Sequence, residues 1–184
     1  MQSVSQSHKL QFCKIMVVGN IAGGKTALSR SLAALYDLPL THVDTIQFGA
    51  GMTLRPHAET RAKLREVAQQ EKWLIDGFGP LDLIEERFQL ADKIVFVDLP
   101  LWRHAWWCTK RQISNLWSPR RELGEESREL TVEHTMRLYK GLLRNHEKMR
   151  PELLKIFARE NLIAKMTMIR NIEEWNRAFR EGLD

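Results

Sequence analysis

The stretch FCKIMVVGNIAGGKTALSRSLAALY, residues 12–36, decides the fold of this chain. It opens with an apolar run, residues 12–18, that is typical of a buried strand, and it closes with residues 25–36, where Ala, Leu and Ser recur at helical spacing. The pattern Gly-x-x-x-x-Gly-Lys-Ser/Thr lies between them and is met in full by Gly19, Gly24, Lys25 and Thr26. A strand, a glycine loop and a helix in this order predict a loop that wraps around phosphate.

The physical basis of this prediction is the backbone. Glycines let the chain turn tightly and point its N–H groups inward, and the helix that begins near Lys25 adds unpaired N–H groups and a positive dipole end. We expect Lys25 to reach the β- and γ-phosphates of a nucleotide and the Thr26 hydroxyl to bind Mg²⁺. The predicted nucleotide-binding residues are Gly19, Asn20, Ile21, Ala22, Gly23, Gly24, Lys25, Thr26 and Ala27.

The rest of the chain alternates apolar runs with helical patterns. Further strands are predicted over residues 38–43, 72–76, 93–98 and 162–169, with helices over residues 57–71 and 81–91. Such alternation predicts an α/β fold in which a parallel sheet is covered by helices on both faces. A single domain of residues 1–184 suits this length.

Residues 100–160 form the longest stretch without a predicted strand. A helix is predicted over residues 101–117, a second over 131–149, and a third after the pair Arg150-Pro151. Ligands of parallel sheets bind outside the carboxyl ends of the strands. A helical region of residues 101–150, inserted between the fourth and fifth strands, is therefore interpreted as a lid over the site.

Acidic side chains end three of the predicted strands. Asp76 precedes a flexible Gly-Phe-Gly turn, so we favour it as the residue facing Mg²⁺, whereas for Asp98 a helix cap is preferred. Asp44 ends the second strand on the ligand side, where it could position a substrate hydroxyl or take its proton, although a turn-forming role is also open. His42, two residues earlier, is interpreted as a satisfied, partly buried histidine.

The segment LWRHAWWCTKRQISNLW, residues 101–117, combines tryptophans with arginines and lysines. The favoured interpretation is that the tryptophans pack the helix against the body while the charges are solvated. In a second interpretation, the helix acts as a lid. Its arginines neutralise charge on the transferring phosphoryl group, and one tryptophan stacks on the base of the nucleotide. In a third, the segment binds nucleic acid.

Composition narrows the function classes. The formal net charge of +5 and the pI of about 9.4 favour anionic ligands without arguing for DNA. Neither a membrane span nor a signal peptide is recognisable, so we expect a cytoplasmic protein. Cys13 and Cys108 show no paired metal-binding spacing, and no structural disulfide is expected in a reducing compartment.

The glycine loop, HVD at 42–44, WLIDGFG at 73–79 and ADKIVFVDLP at 91–100, in this order, resemble the nucleoside-monophosphate-kinase-like branch of P-loop proteins, the adenylate kinase relatives. The chain looks most similar to the group labelled DNA topology modulation proteins. The resemblance implies a three-layer sandwich with five parallel strands, a substrate-binding arm at residues 45–71 and the lid at 101–150. It also implies transfer of the γ-phosphoryl group from ATP with Mg²⁺ to a small acceptor, with Asp76 ordering the metal. Arg111 matches a lid-helix arginine that meets the nucleotide.

Two positions depart from the adenylate kinase pattern. Gly79-Pro80 stands where such kinases carry Pro-Arg, and Trp107 stands where another arginine is common. Both losses weaken the case for AMP as acceptor, and the missing arginine favours an acceptor without a phosphate group. The acceptor class stays open between a nucleotide and a hydroxylated metabolite. The alternative function is a nucleotide-binding regulator or slow ATPase acting on nucleic acid or a protein partner, and nucleic acid is the less favoured partner. Monomer and homodimer both stay open.

Overall fold

The computed structural model describes residues 12–49, 53–117 and 132–183. The strands are β1 (Lys14–Gly19), β2 (Leu40–His42), β3 (Trp73–Asp76), β4 (Lys93–Val97) and β5 (Met166–Ile169). The helices are α1 (Lys25–Tyr36), α2 (Val43–Gln47), α3 (His57–Gln69), α4 (Ile84–Leu90), α5 (Leu101–Trp117), α6 (Val132–Arg144), α7 (Arg150–Phe157), α8 (Glu160–Ile163) and α9 (Ile172–Glu181).

The described strands form one parallel sheet in the order β2-β3-β1-β4-β5, with β1 at its centre. This confirms the predicted α/β fold with five parallel strands. In the sheet register, Asp76 lies beside Val17 of β1 and beside His42 of β2, while Gly19 lies beside Val97. The carboxyl ends of four strands therefore meet at the edge where the glycine loop begins.

Alternate residues of β1 face opposite layers. Ile15 and Val17 belong to a buried cluster that includes Leu28 and Leu32 of α1. Met16 and Val18 belong to a second buried cluster on the other face of the sheet, whose large side chains include Leu64, Trp73, Phe88, Phe96 and Phe157. Because side chains alternate along a strand, these two clusters are the two interfaces of a three-layer structure.

The fifth strand begins later than predicted. Residues 162–169 were expected to be extended, but Leu162 and Ile163 lie in α8 and the strand starts at Met166. Leu162 is fully buried as a helical residue. A short apolar run fits a buried helix turn as well as a strand, so periodicity alone could not separate the two. Likewise, Val43 begins α2 instead of ending β2.

No break separates the predicted second and third helices of the insert. Residues 145–149 adopt a π-helical turn that joins α6 directly to α7, so the predicted helix end at Arg150-Pro151 is wrong. Pro151 has no N–H to donate, and its ring needs room near the carbonyl of residue 147. The wider π turn just before it provides that room, which lets the helical run continue.

The favoured interpretation of the tryptophans on α5 is wrong for two of them. Trp102 and Trp106 are 62% and 55% exposed, whereas Cys108 and His104 are buried. Of the three α5 tryptophans whose side chains are described, Trp107 packs against the body of the fold, and the side chain of Trp117 lies outside the described part of the structure. The helix carries apolar groups on more than one stripe, so the sequence did not decide which stripe turns inward.

Candidate active site

The glycine loop, residues 19–26, links β1 to α1 as predicted. Gly24 has φ +72°, the left-handed region that disfavours residues with a Cβ. A Cβ on Gly19 would lie 2.4 Å from the carbonyl oxygen of Val97. The Nζ of Lys25 donates to the carbonyl oxygen of Asn20 over 2.8 Å, so the Lys25 side chain connects the last part of the loop to its second residue. We call residues 19–26 the phosphate loop.

Asp76 contacts two other residues that the sequence analysis singled out, Thr26 and His42. Its Oδ2 accepts hydrogen bonds from the Thr26 hydroxyl over 3.3 Å and from His42 Nδ1 over 3.0 Å. The carboxylate is only 6% exposed, and its other oxygen, Oδ1, is buried with no hydrogen-bond partner. A buried carboxylate oxygen without a partner is costly unless a further donor or a cation satisfies it.

The pair of Thr26 and Asp76 suits Mg²⁺ binding. Mg²⁺ usually takes one or two protein groups together with phosphate oxygens and water, so a dedicated cage of side chains is not required. Within residues 12–49, 53–117 and 132–183 no cluster of three or more His, Cys, Asp or Glu side chains could hold a metal. The hydroxyl of Thr26 and the Oδ1 of Asp76 are thus two oxygen atoms at this edge of the sheet that could bind the ion.

Of the remaining predicted site residues, one lies away from this cluster and one has a side chain outside the described part of the structure. Asp44 is exposed in the first turn of α2, two residues after β2 ends. Arg111 belongs to α5, and its side chain lies outside the described part of the structure. Two arginines of the arm at residues 45–71 form surface ion pairs: Arg61 pairs with Asp82, and Nη1 of Arg55 lies 4.0 Å from Oε1 of Glu59.

Asp98 has a partner that the sequence did not indicate. Its Oδ1 accepts from Arg150 Nε over 2.6 Å and its Oδ2 from the terminal nitrogen over 2.8 Å. The preferred interpretation as a helix cap is therefore replaced by a bidentate ion pair between the end of β4 and the start of α7. The hydrogen bonds that Arg150 donates to Asp98 raise the pKa of Arg150 above its usual value, which keeps the guanidinium charged.

His104 is a residue that sequence reasoning missed. It lies on α5 with 1% exposure, and its Nδ1 donates to the carbonyl oxygen of Ile21 in the phosphate loop over 2.9 Å. Burial lowers its pKa, and the positive charge of Lys25 lowers it further. A neutral imidazole therefore fastens α5 to the loop. The sequence gives no local signal for this contact, because His104 and Ile21 lie 83 positions apart.

Arg87 was also missed, because an arginine in the amphipathic α4 suggests a surface residue. It is 2% exposed, donates from Nε to the carbonyl oxygen of Leu83 over 3.2 Å, and donates from a terminal nitrogen to the carbonyl oxygen of Phe78. Burial lowers its pKa to about 10, so it stays charged at neutral pH. Arg87 thus fixes the turn that follows Asp76.

Two aromatic rings cover the phosphate loop at Gly24. A Cβ there would lie 3.0 Å from the ring of Trp107 and 3.2 Å from that of Trp175. The two rings meet edge to face with centroids 5.9 Å apart, and Trp175 stacks on Phe179. These contacts tie α5 and α9 to the loop through its left-handed glycine.

The fold and the loop define a class. A five-stranded parallel sheet flanked by helices, with a Gly-rich loop between β1 and α1, is an α/β fold. Among solved structures, a gluconokinase from Sinorhizobium meliloti 1021 is similar with a TM-score of 0.50 and 12% identity, over 95% of this chain and 91% of that one. The shikimate kinase from Acinetobacter baumannii in complex with shikimate has a TM-score of 0.49 and 18% identity, over 78% and 79%.

The likeness to the gluconokinase is one of fold alone. No protein-family model matches the sequence, and no curated protein matches it. None of the described helices combines the length and apolarity needed to cross a membrane. Cys13 and Cys108 are not joined by a disulfide bond.

Proposed function

We propose that this chain is a small-molecule kinase that transfers the γ-phosphoryl group of MgATP to a hydroxyl group of a small acceptor. The observation that carries this proposal is the Thr26–Asp76–His42 cluster beside the phosphate loop. Its buried, unpartnered Asp76 Oδ1 is an oxygen prepared for a cation or its water. Thr26 and Asp76 would hold Mg²⁺ here, and the ion would supply positive charge that neutralises the transferring phosphoryl group.

The roles of the residues follow from their positions. The phosphate loop N–H groups and Lys25 hold the β- and γ-phosphates, and Thr26 and Asp76 provide oxygen ligands. His42 holds Asp76 Oδ2 over 3.0 Å and so fixes the orientation of the carboxylate. A new bond forms between the acceptor oxygen and the γ-phosphorus, while the bond to the β–γ bridging oxygen breaks and ADP leaves. Asp44 is the carboxylate proposed to orient the hydroxyl and take its proton.

The lid is part of the same proposal. His104 and Asn20 already connect α5 and α6 to the phosphate loop, since Asn20 Nδ2 donates to the carbonyl oxygen of Leu142 over 3.0 Å. A movement of these helices toward the acceptor would exclude water and favour transfer over hydrolysis. Arg111 is proposed to add positive charge near the transferring group.

The acceptor is proposed to be a hydroxylated metabolite without a phosphate group. The turn after Asp76 carries Gly79-Pro80, so it offers no arginine for an acceptor phosphate. Arg61 is held by Asp82 and Arg55 lies near Glu59, which leaves their charges partly neutralised. This proposal includes three further points: the nucleotide is ATP, the protein is cytoplasmic, and the chain is related to adenylate kinases.

The test is ATP turnover with Mg²⁺ in the wild type and in Lys25→Ala, over a panel of nucleoside monophosphates and hydroxylated metabolites. ADP release that needs one acceptor and is lost in Lys25→Ala supports the proposal. Lys155→Ala is the matched control, because Lys155 is 72% exposed and pairs only locally with Glu152 in the described contacts. ATP binding without acceptor-stimulated turnover would contradict it.

A second candidate function is a nucleotide-gated protein that binds nucleic acid. The observation in its favour is the exposed pair Trp102 and Trp106, with the guanidinium of Arg103 4.3 Å from the centroid of the Trp102 ring. Exposed aromatic and basic side chains together suit stacking on bases. Salt-dependent binding of single-stranded DNA that is lost in the double variant Trp102→Ala/Trp106→Ala would favour it.

A further inference from the structure

Large apolar side chains lie exposed on α5 and α6. Each of these is between 45% and 62% exposed: Trp102, Trp106, Ile113, Met136 and Leu143. The three on α5 fall on one stripe and the two on α6 on another, because their spacings of four, seven and eleven residues are close to whole helical turns. Single exposed apolar residues are common on protein surfaces, whereas a continuous apolar patch marks an interaction site.

The two helices run antiparallel. Thr109 of α5 meets Tyr139 of α6 through their hydroxyl groups. Five residues earlier on α5, His104 lines the same small cavity as His146, which follows the end of α6. A step forward along α5 is therefore matched by a step back along α6.

The hydroxyl contact lies in the middle of each exposed stripe. Its residue on α5 is three residues after Trp106 and four before Ile113. Its residue on α6 is three residues after Met136 and four before Leu143. The antiparallel order therefore puts the two stripes side by side along the solvent side of the seam between the helices. Together they form one apolar surface, which we call the outer face.

Basic side chains border the outer face. Lys110 and Lys140 are exposed, and each lies four residues after one apolar member of the face and three before another. The guanidinium of Arg103 lies 4.3 Å from the centroid of the Trp102 ring. The sequence of α5 contains no acidic residue, and that of α6 contains one, Glu133, whose side chain is outside the described part of the structure. The charge of this surface therefore suits an anionic partner.

We propose that the outer face binds the surface of a membrane that contains anionic lipids. Tryptophan is enriched at the boundary between hydrocarbon and headgroups, and the apolar side chains of surface-bound helices enter that boundary. Ile113, Met136 and Leu143 supply the aliphatic groups for this insertion. Lys110 and Lys140 are placed to reach the anionic headgroups. This inference does not depend on the proposed kinase function.

The contacts of α5 and α6 with the phosphate loop lie away from the outer face. His104 donates to the carbonyl oxygen of Ile21, and the carbonyl oxygen of Leu142 accepts from Asn20. His104 and Leu142 are both buried, whereas the members of the outer face are exposed. Binding to a membrane through the outer face therefore leaves these contacts intact.

Two other occupants fit the outer face less well. Nucleic acid bases stack on open ring faces, but the Arg103 guanidinium already lies over the Trp102 ring, and aliphatic side chains offer no stacking. A second copy of the chain would pair the same surface with itself. That arrangement would bring Lys110 and Lys140 of both copies together, which is unfavourable for like charges.

The experiment measures the binding of the full chain to sedimenting vesicles, either of phosphatidylcholine alone or with about one third phosphatidylserine. The apolar variant is the double substitution Ile113→Ser/Leu143→Ser, which keeps every tryptophan. Its matched control is Leu54→Ser/Ile163→Ser, which changes the same residue types at exposed positions outside the outer face. Thermal melts show that each variant is folded.

A second pair of variants separates the outer face from the net charge of the chain. Lys110→Gln/Lys140→Gln removes two charges from the border of the face. Lys63→Gln/Lys155→Gln removes the same charge from α3 and α7, where both lysines are exposed. Brominated acyl chains provide a further readout, because they quench only tryptophans that enter the lipid.

We expect the wild type to bind the anionic vesicles, with binding at least about fivefold weaker in both outer-face variants and within about twofold of the wild type in both controls. Brominated chains should quench the fluorescence of the bound wild type. Equal weakening in a variant and its control, or binding without quenching, would mean adsorption by net charge and would overturn the proposal.

Absence of vesicle binding would also overturn it, and two further measurements would then identify the occupant. Binding of single-stranded DNA that is lost in Trp102→Ala/Trp106→Ala would assign the outer face to nucleic acid. A dimer in sedimentation velocity that is lost in Ile113→Ser/Leu143→Ser would assign it to a second copy of the chain.

Discussion

At the scale of single residues, the site depends on backbone positions as much as on charges. Gly24 combines a left-handed conformation with contacts to two indole rings, and His104 combines deep burial with a hydrogen bond to the phosphate loop. Each can be changed without touching the groups proposed to carry the chemistry. Each therefore tests the geometry of the loop separately from its charge.

Gly24→Ala should destabilise the fold and weaken ATP binding. A left-handed conformation costs a residue with a Cβ about 1–2 kcal/mol, and the new methyl group would also press on Trp107 and Trp175. The comparison is Gly141→Ala, a helical position where alanine gains up to about 1 kcal/mol and meets only the flexible end of Ile21. Thermal melts and ATP titrations check both; equal melting temperatures would contradict the prediction.

Stability should fall as the pH drops below about 6.5, in part because of His104. Burial lowers the pKa of this imidazole in the folded chain. In that pH window the unfolded chain therefore binds more protons than the folded chain, so acidification stabilises the unfolded state relative to the folded one. The charge of Lys25 lowers the pKa of His104 and the charge of Asp98 raises it, and burial is the largest of the effects on this pKa.

The measurement is the free energy of unfolding of the wild type and of His104→Gln at pH 7.5 and 5.0. The advantage of the wild type over the variant should be smaller at the lower pH. A difference between the two proteins that is independent of pH would mean that His104 does not change its protonation between the two states.

At the scale of elements, α5 and α6 form a pair of helices linked by side chains to each other and to the phosphate loop. The hydroxyl of Tyr139 on α6 is bonded to Thr109 of α5 over 2.5 Å and to the carbonyl oxygen of Ala105 over 3.4 Å. The π turn then continues α6 into α7, so the pair is anchored to the core through Leu153 and Phe157.

Tyr139→Phe should lower the free energy of unfolding by about 1 kcal/mol, since it removes one hydrogen-bonding hydroxyl and leaves the ring. Chemical denaturation measures the effect. The conservative partner Thr109→Val should cost a similar amount, and the double variant should cost less than the sum, because the two hydroxyls share one bond. Strict additivity would contradict the contact.

At the scale of the whole molecule, two buried clusters sandwich the sheet while two large tryptophans stay outside. Phe157 is 1% exposed and packs against Phe88 and Phe96 with ring centroids 5.1 and 5.2 Å apart. Trp102, at 62% exposure, contributes little buried area despite its size. Burial, not residue size, therefore decides how much each ring stabilises the fold.

Phe157→Ala should lower the free energy of unfolding by about 3–5 kcal/mol, through lost burial and a cavity in the core. Trp102→Ala should change it by no more than about 0.5 kcal/mol. Urea denaturation of the two variants checks both values. A larger effect for Trp102→Ala would mean that the outer stripe of α5 is covered, for instance by a second copy of the chain.

Much of the architecture was predictable because local signals agreed with each other. The strand, loop and helix of residues 12–36, the parallel alternation and the insert after β4 follow from short apolar runs and helical spacing. The weakest predictions lay where the local pattern was ambiguous: LIAK at 162–165 suits a helix turn or a strand, and Arg150-Pro151 suggests a helix end. The π turn that absorbs Pro151 has no sequence signature of its own.

The sequence by itself determined the phosphate loop and placed Asp76, His42 and Thr26 at strand or helix ends, because these depend on motif spacing and strand period. Only the tertiary structure decided that Arg150 holds Asp98, that His104 fastens α5 to the loop, and that Arg87 is buried under the turn after β3. These contacts join residues 52, 83 and 9 positions apart on different elements. Their formation depends on how helices rotate when they pack, which local periodicity does not specify.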